Sequence, residues 1–299
     1  MKNAIIIVNP AAGRGRAHTV IASVQKAFAV VGADNIRETS CPGDEEFIAG
    51  NAVADGVRTI IAVGGDGTCS RIANAILRAG AHCSLGVVPC GSGNDFAKTL
   101  GVAGRTPAQI ADLLVCGKAT SIDVGACDGH YFLNSCGFGF DSSVLEATKR
   151  VRFLKGDAVY IYSALRQLLT YRGLSISMDF SVEKRPTSML MLTVSNGQFL
   201  GGAFRIAPHA SVVDGMLDVG LFKDAGLAGR MRIFAAAFRG THVGLSSVET
   251  KRVPAITLGF PSPPMMEVDG ELRRALSSTV KIECLARGLN VIAAPGYPR

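Results

Sequence analysis

The sequence predicts two domains of different class: an α/β amino-terminal half built on a parallel sheet with flanking helices, and a β-rich, sandwich-like carboxyl-terminal half. Three observations carry that prediction. Short apolar runs alternate with helical patterns in units of about 30 residues over the first ~120 positions, as strands joined by right-handed crossovers do. Glycine-rich loops follow three of those runs. After Asp123 the chain becomes a succession of β-type runs separated by turns, with only two helical stretches among them.

Taken in order, Ala4–Val8 is a β-type apolar run and Asn9–Arg16 a loop, with apolar residues at helical spacing over Ala17–Val31. A short strand near Ile36–Thr39 leads through Pro42-Gly43-Asp44 into a helix over Glu45–Ala54. Thr59–Val63 is a buried strand, Gly64–Gly67 a turn and Thr68–Ala79 a helix. Leu85–Val88 is the next strand, followed by the Pro89–Gly93 loop and a helix from Asn94. In such sheets ligands bind at the carboxyl ends of the strands, where all three glycine loops fall. Beyond Asp123 the β-type runs are Tyr131–Asn134, Ser175–Val182, Ser188–Val194, Met216–Phe222, Ala255–Gly259 and Thr279–Cys284, with helical stretches over Asp141–Tyr171 and Leu227–Phe238. The expected domains are 1–124 and 125–287, with the tail from about 288 to 299 packing back on the first.

Composition narrows the function classes. At 299 residues, 48% hydrophobic and 18% charged, the chain is too apolar for disorder and long enough for sizeable cores. No run approaches the ~18 apolar residues of a membrane span, and the apolar run after Met1-Lys2 is too short for a signal peptide, so a cytoplasmic protein is expected. Eight scattered cysteines without a C-x-x-C pair exclude a zinc ribbon and argue against a disulfide framework. The net charge of +7 points to an anionic partner. With no Trp and 6% aromatics, nucleic acid is the least favoured.

The strongest motif is Ile60-Ile61-Ala62-Val63-Gly64-Gly65-Asp66-Gly67-Thr68, a strand running into glycines, an acid and a helix start. Glycines admit a phosphate to the backbone, and a helix amino terminus offers N–H groups and the positive dipole end. An acid there repels phosphate unless a cation lies between, which points to Mg²⁺ at Asp66. A capped β-turn explains either glycine loop alone, but poorly explains this one together with Val88-Pro89-Cys90-Gly91-Ser92-Gly93-Asn94-Asp95. Asn9-Pro10-Ala11-Ala12-Gly13-Arg14-Gly15 makes a third, with Arg14 and Arg16 suited to phosphate. G-x-x-x-x-G-K-[ST], G-x-G-x-x-G, the nucleophile elbow and HExxH are all absent, which sets aside P-loop enzymes, dinucleotide-binding sites of that type, hydrolases built on such an elbow and zinc proteases of the HExxH type.

Asn9-Pro10-x-x-Gly13, Gly64-Gly65-Asp66-Gly67-Thr68 and Gly91-Ser92-Gly93-Asn94-Asp95-Phe96-Ala97, in this order, resemble the diacylglycerol kinase/sphingosine kinase catalytic family, closest to its soluble bacterial lipid kinases. Phe132-Leu133-Asn134-x-x-Gly137-x-Gly139-Phe140-Asp141, Ser195-Asn196-Gly197 with Gly201-Gly202, Val213–Val219 and Val268-Asp269-Gly270-Glu271 extend the resemblance over nearly the whole chain. It implies ATP held by Asn9, Thr39, Gly64, Gly65, Asp66, Gly67, Thr68, Cys69, Ser70 and Ser92. It implies a catalytic Mg²⁺ organised largely through water by Asp66, Asp95 and Asp123, and Glu271 as proton acceptor, with Asp269 the competing carboxylate. It also implies a structural Mg²⁺ at Ser211, Asp214 and Met216. Cys69-Ser70-Arg71 departs from the family's apolar-Asn-Glu at that point.

The expected activity is transfer of the ATP γ-phosphoryl group to a lipid hydroxyl, with diacylglycerol the leading acceptor. A sphingoid base, ceramide or phosphatidylglycerol are alternatives, as are an NAD kinase and a non-catalytic lipid-binding regulator that keeps the fold. Lys149, Arg150, Arg152, Lys155, Arg166 and Arg172, interleaved with apolar residues, form a basic amphipathic stretch that favours peripheral association with an anionic membrane. Self-association as a homodimer is left open.

Overall fold

The computed structural model describes residues 3–33, 35–148, 150–151, 157–178 and 187–297. The chain divides into two compact units, one of residues 1–124, 212–214 and 286–299, the other of residues 125–211 and 215–285.

The first unit runs β1 (Ala4–Val8), α1 (Ala12–Val30), β2 (Ile36–Glu38), α2 (Asp44–Ala54), β3 (Thr59–Gly64), α3 (Asp66–Arg78), β4 (Ser84–Pro89), α4 (Asp95–Thr99) and α5 (Pro107–Cys116), into the start of β5 (Ala119–Cys127). Its strands lie in the order β2-β1-β3-β4, all parallel. All five residues of β1 are buried, as are Ile60, Ile61, Ala62 and Val63. These continuous apolar runs are what a sheet covered on both faces requires. Ala17, Val24 and Phe28 of α1 and Ile110 and Leu114 of α5 share one core with Ile6, Val8, Ile61 and Val63. The Val, Ile, Leu and Phe side chains among them each contribute about 1.5–3 kcal/mol by burial.

α1 begins at Ala12, five residues before the expected Ala17, so the first loop shrinks to Asn9-Pro10-Ala11. Arg14 and Arg16 therefore fall in the first turns of a helix rather than in a loop; their side chains lie outside the described residues. Gly13 and Gly15 had suggested loop, and packing of the α1 apolar face overrides that weak local preference. α5 was not expected, although Thr106-Pro107-Ala108-Gln109 signals it. Thr106 accepts from the Gln109 N–H, Gln109 returns the bond, and Pro107 sits at the first helical position.

The second unit contains the end of β5, β6 (His130–Phe132), β7 (Ser135–Gly139), α6 (Phe140–Thr148), α7 (Asp157–Thr170), β8 (Leu174–Met178), β9 (Thr187–Ser195), β10 (Leu217–Lys223), α8 (Gly226–Ala237), β11 (Val248–Val253), β12 (Ala255–Gly259), β13 (Met265–Val268), β14 (Glu271–Arg274) and the first part of β15 (Thr279–Ile292). One antiparallel run is β14-β13-β7-β9-β10-β11; another is β8-β12-β15. Phe132, Phe138, Leu192, Val219, Leu258 and Val280 meet in the core of this β-rich unit. A second core, with Val144, Leu168, Phe222 and Ile233, lies against α6, α7 and α8. The single helical stretch expected over Asp141–Tyr171 is two helices, α6 and α7. Residue 149 and residues 152–156, with Lys149, Arg152 and Lys155 of the basic stretch, lie outside the described residues.

Candidate active site

Strand register builds the site in the first unit. Val8 pairs with Val63 and with Glu38, Val63 with Val88, and Gly64 with Pro89. The residues that follow these positions therefore emerge side by side at one edge. The ladder continues through them: Thr39 N–H donates to the Val8 carbonyl at 2.9 Å, Asn9 N–H to Val63 at 3.0 Å and Cys90 N–H to Gly64 at 2.8 Å. Thr39, Asn9, the Gly64–Ser70 segment and the Ser92 loop thus share the carboxyl edge of four neighbouring parallel strands, where α/β sheets bind ligands.

The two glycine loops touch backbone to backbone. A Cβ on Gly91 would lie 2.5 Å from the Gly65 Cα, so neither position has room for a side chain. Asn94 shapes the second loop from a left-handed conformation (φ 53°), accepting from the Gly91 N–H at 2.9 Å and donating to the Gly91 carbonyl at 2.8 Å. Ser92 is left exposed at the tip. Asp66, Gly67 and Thr68 form the first turn of α3 rather than a turn before it. A helix's opening turn directs N–H groups outward, the arrangement that receives phosphate. Cys69 is buried, and the Ser70 carbonyl accepts from Asn74.

Asp66 Oδ1 accepts from the Phe96 N–H at 2.9 Å, which ties it to the start of α4 beside Asp95. Asp95 is buried and pairs with Lys98 Nζ at 2.8 Å. Asp123, 1% exposed, has other partners: its Oδ1 accepts from Arg287 N–H at 2.8 Å, and its own N–H donates to Val212 at 2.7 Å. That second bond fixes the start of the Ser211–Met216 loop, in which Asp214 is exposed. Among the described residues no three His, Cys, Asp or Glu side chains cluster closely enough to hold a metal alone. Asp66 and Asp95 still offer the hard oxygen donors of Mg²⁺, a cation that takes one or two carboxylates and completes its shell with water and phosphate oxygens.

Asn9 is more occupied than the sequence suggests. Its Nδ2 donates to Glu45 Oε1 at 2.8 Å and to Thr68 Oγ1 at 3.2 Å, while its Oδ1 accepts from the Ala11 N–H. Glu45, which the sequence reading left out of the site, is 1% exposed and pairs with Arg71 at 3.3 Å.

In the second unit the structure separates the two candidate bases. Asp269, 5% exposed, accepts from the N–H groups of Leu133, Asn134 and Ser135 at 2.7, 2.8 and 3.2 Å, a carboxylate used to hold the β13–β14 turn against its neighbour. Glu271 opens β14 with its side chain 31% exposed and paired to Arg273 Nη2 at 2.8 Å. In the sequence Asp141 stands out only as the end of the Phe132–Asp141 motif. It lines an apolar cavity with Phe140, Leu168, Phe204, Ile206 and Phe234, and its Oδ2 has no hydrogen-bond partner. Burial pushes its carboxyl up to about 7, against the opposing bond from the Ser142 N–H. Gly137 makes this possible, since a Cβ there would fall 1.5 Å from the Asp141 Oδ2.

The profile of the diacylglycerol kinase catalytic domain matches residues 3–127, and that of the YegS C-terminal NAD kinase beta sandwich-like domain matches residues 134–293. A diacylglycerol kinase of Bacillus subtilis (strain 168) is 29% identical over 273 residues, 91% of this chain and 90% of that protein. A protein named probable lipid kinase YegS-like, from Pseudomonas aeruginosa (strain UCBPP-PA14), is 35% identical over 190 residues, 62% of this chain and 61% of that protein. The crystal structure of a diacylglycerol kinase from Bacillus anthracis str. Sterne shares the fold at TM-score 0.74 and 23% identity, covering 99% of this chain and 98% of that one. The second of these matches spans more than half of the chain, which therefore belongs to the YegS C-terminal domain family and, with the diacylglycerol kinase catalytic domain match ahead of it, is a lipid kinase.

Proposed function

We propose that this lipid kinase transfers the γ-phosphoryl group of ATP to the free hydroxyl of diacylglycerol, producing phosphatidic acid, as a cytoplasmic enzyme peripherally associated with an anionic membrane. The observation that carries the reading is the alignment of Thr39, Asn9, the Asp66 turn and the Ser92 loop on four adjacent strand ends. The first unit binds the nucleotide through α3's amino terminus and the glycine loops. Asp66, with Asp95 and Asp123, would organise a Mg²⁺ whose charge would neutralise the transferring phosphates. The second unit receives the lipid, and the apolar cavity beside Asp141 supports acyl contact there. Glu271 accepts the hydroxyl proton as the acceptor oxygen bonds to the γ-phosphorus and the bond to the β-phosphate bridging oxygen breaks. Ser211, Asp214 and Met216 would hold a second, structural Mg²⁺.

Diacylglycerol as acceptor is supported by the names of the relatives spanning most of the chain. The exposed face of α7 supports membrane association: Tyr162, Leu165 and Leu169 project from it beside Arg166, with Arg172 just beyond. The test is label transfer from γ-labelled ATP, with Mg²⁺, to a panel of diacylglycerol, sphingosine, ceramide, phosphatidylglycerol and NAD⁺. Labelled phosphatidic acid is the expected product. Preferential labelling of any other acceptor overturns the assignment.

A further inference from the structure

Glu45 is a nearly inaccessible carboxylate in the first turn of α2, held by Asn9 beyond β1, by Gly43 just ahead of α2 and by Arg71 of α3. Asn9 Nδ2 donates to Oε1, while Gly43 N–H at 3.2 Å and Arg71 Nη1 at 3.3 Å donate to Oε2. A carboxylate at that depth is costly without a partner, and Arg71 is the cation that pairs with it. Asn9 in turn reaches the Thr68 hydroxyl. One continuous path therefore runs Arg71–Glu45–Asn9–Thr68, crossing from α3 to α2, to the end of β1 and back to the first turn of α3. Arg71 occupies the position where the sequence departs from its family's pattern. The departure carries its own partner, with the acid on α2 and the base on α3.

We infer that Glu45 and Arg71 are positioning residues for the nucleotide site: the ion pair sets the Asn9 carboxamide, and through it the Thr68 hydroxyl and the opening turn of α3. The inference rests on the proposal that these loops bind ATP. With both amide hydrogens committed to Glu45 and Thr68, Asn9 acts by fixing the turn as much as by touching the ligand. Loss of the pair releases Asn9 to rotate, and the effect falls on ATP binding rather than on the phosphoryl-transfer step.

The experiment measures KM for ATP, kcat and Tm in the full chain for wild type, Arg71→Met, Arg71→Lys, Glu45→Ala and the Arg71→Met/Glu45→Ala double variant. Arg71→Met and Glu45→Ala should each raise KM for ATP about tenfold with kcat within about twofold. Arg71→Lys, which keeps the charge, should restore most of the affinity. The double variant should be no worse than Glu45→Ala alone, because both act through the same Asn9. Should Glu45→Ala fail to fold, the Arg71→Met and Arg71→Lys comparison decides, since Arg71 is partly exposed. A fall in Tm with KM unchanged, or additive effects on KM, overturns the inference. Absence of ATP binding by the wild type overturns the nucleotide reading instead.

Discussion

At the scale of single residues, the acids of the candidate site divide by what already holds them. Asp66 takes one backbone amide from Phe96 and faces the turn where phosphates are proposed to sit. Asp66→Asn keeps that bond and removes the charge, so turnover should fall at least a hundredfold, about 2.7 kcal/mol of transition-state stabilisation, with Tm nearly unchanged. Near-normal turnover would reject the metal role. Asp269 behaves oppositely: Asp269→Ala strands three buried N–H groups and should cost about 3 kcal/mol or more in a denaturant titration. The sequence alone left Asp269 and Glu271 as rivals two positions apart, because it carried no sign that Leu133, Asn134 and Ser135 would converge on one carboxylate. Asp141 gives a pH signature. Its folded-state value of about 7 lies above the ordinary carboxylate value, so the folded state binds the extra proton. The resulting stabilisation is complete below about pH 4 and is lost as pH rises through 7. Asp141→Asn should therefore raise Tm at pH 8 relative to wild type, with the gain vanishing near pH 4; a gain independent of pH would contradict the assignment.

Among the elements, legibility followed the strength of local periodicity. β1 and β12 match their sequence-predicted bounds, because a short apolar or alternating run between turn residues admits one reading. β13 and β14 do not stand out as apolar runs, because Pro263 and Pro264 precede them and acids fall at 267, 269 and 271, yet Asp269-Gly270 marks the turn of the hairpin they form, whose Glu267 and Asp269 are buried against β7 and the residues before it. β15 runs to Ile292 rather than Cys284, passing through Arg287, whose φ of 53° and neighbouring Gly288 resemble a strand end in sequence. The strand-end loops were readable because glycines and acids cluster there; the Glu45–Arg71 pair was not, because an ion pair across 26 positions leaves no periodic trace. α7 shows the same division. Ala164 and Leu168 face inward, while Leu165, Arg166 and Leu169 are exposed, a split that apolar spacing alone blurred. Arg166→Glu combined with Leu169→Ser should weaken sedimentation with anionic vesicles about tenfold and leave turnover on dispersed short-chain diacylglycerol within about twofold. Equal losses in both assays would make the face structural.

For the whole molecule, the proposal assigns each unit a separate task, nucleotide in the first and acceptor chemistry in the second. Glu271 is the residue that separates them. It lies in a β-hairpin of the second unit, with no part in the strand-end loops that are proposed to bind ATP. The most direct test measures equilibrium ATP affinity and label transfer to diacylglycerol on the same preparation of Glu271→Gln. Transfer should be lost, while ATP affinity stays within about threefold of wild type, because the base acts on the acceptor hydroxyl. Undiminished transfer, or loss of ATP binding along with it, would contradict the division of labour.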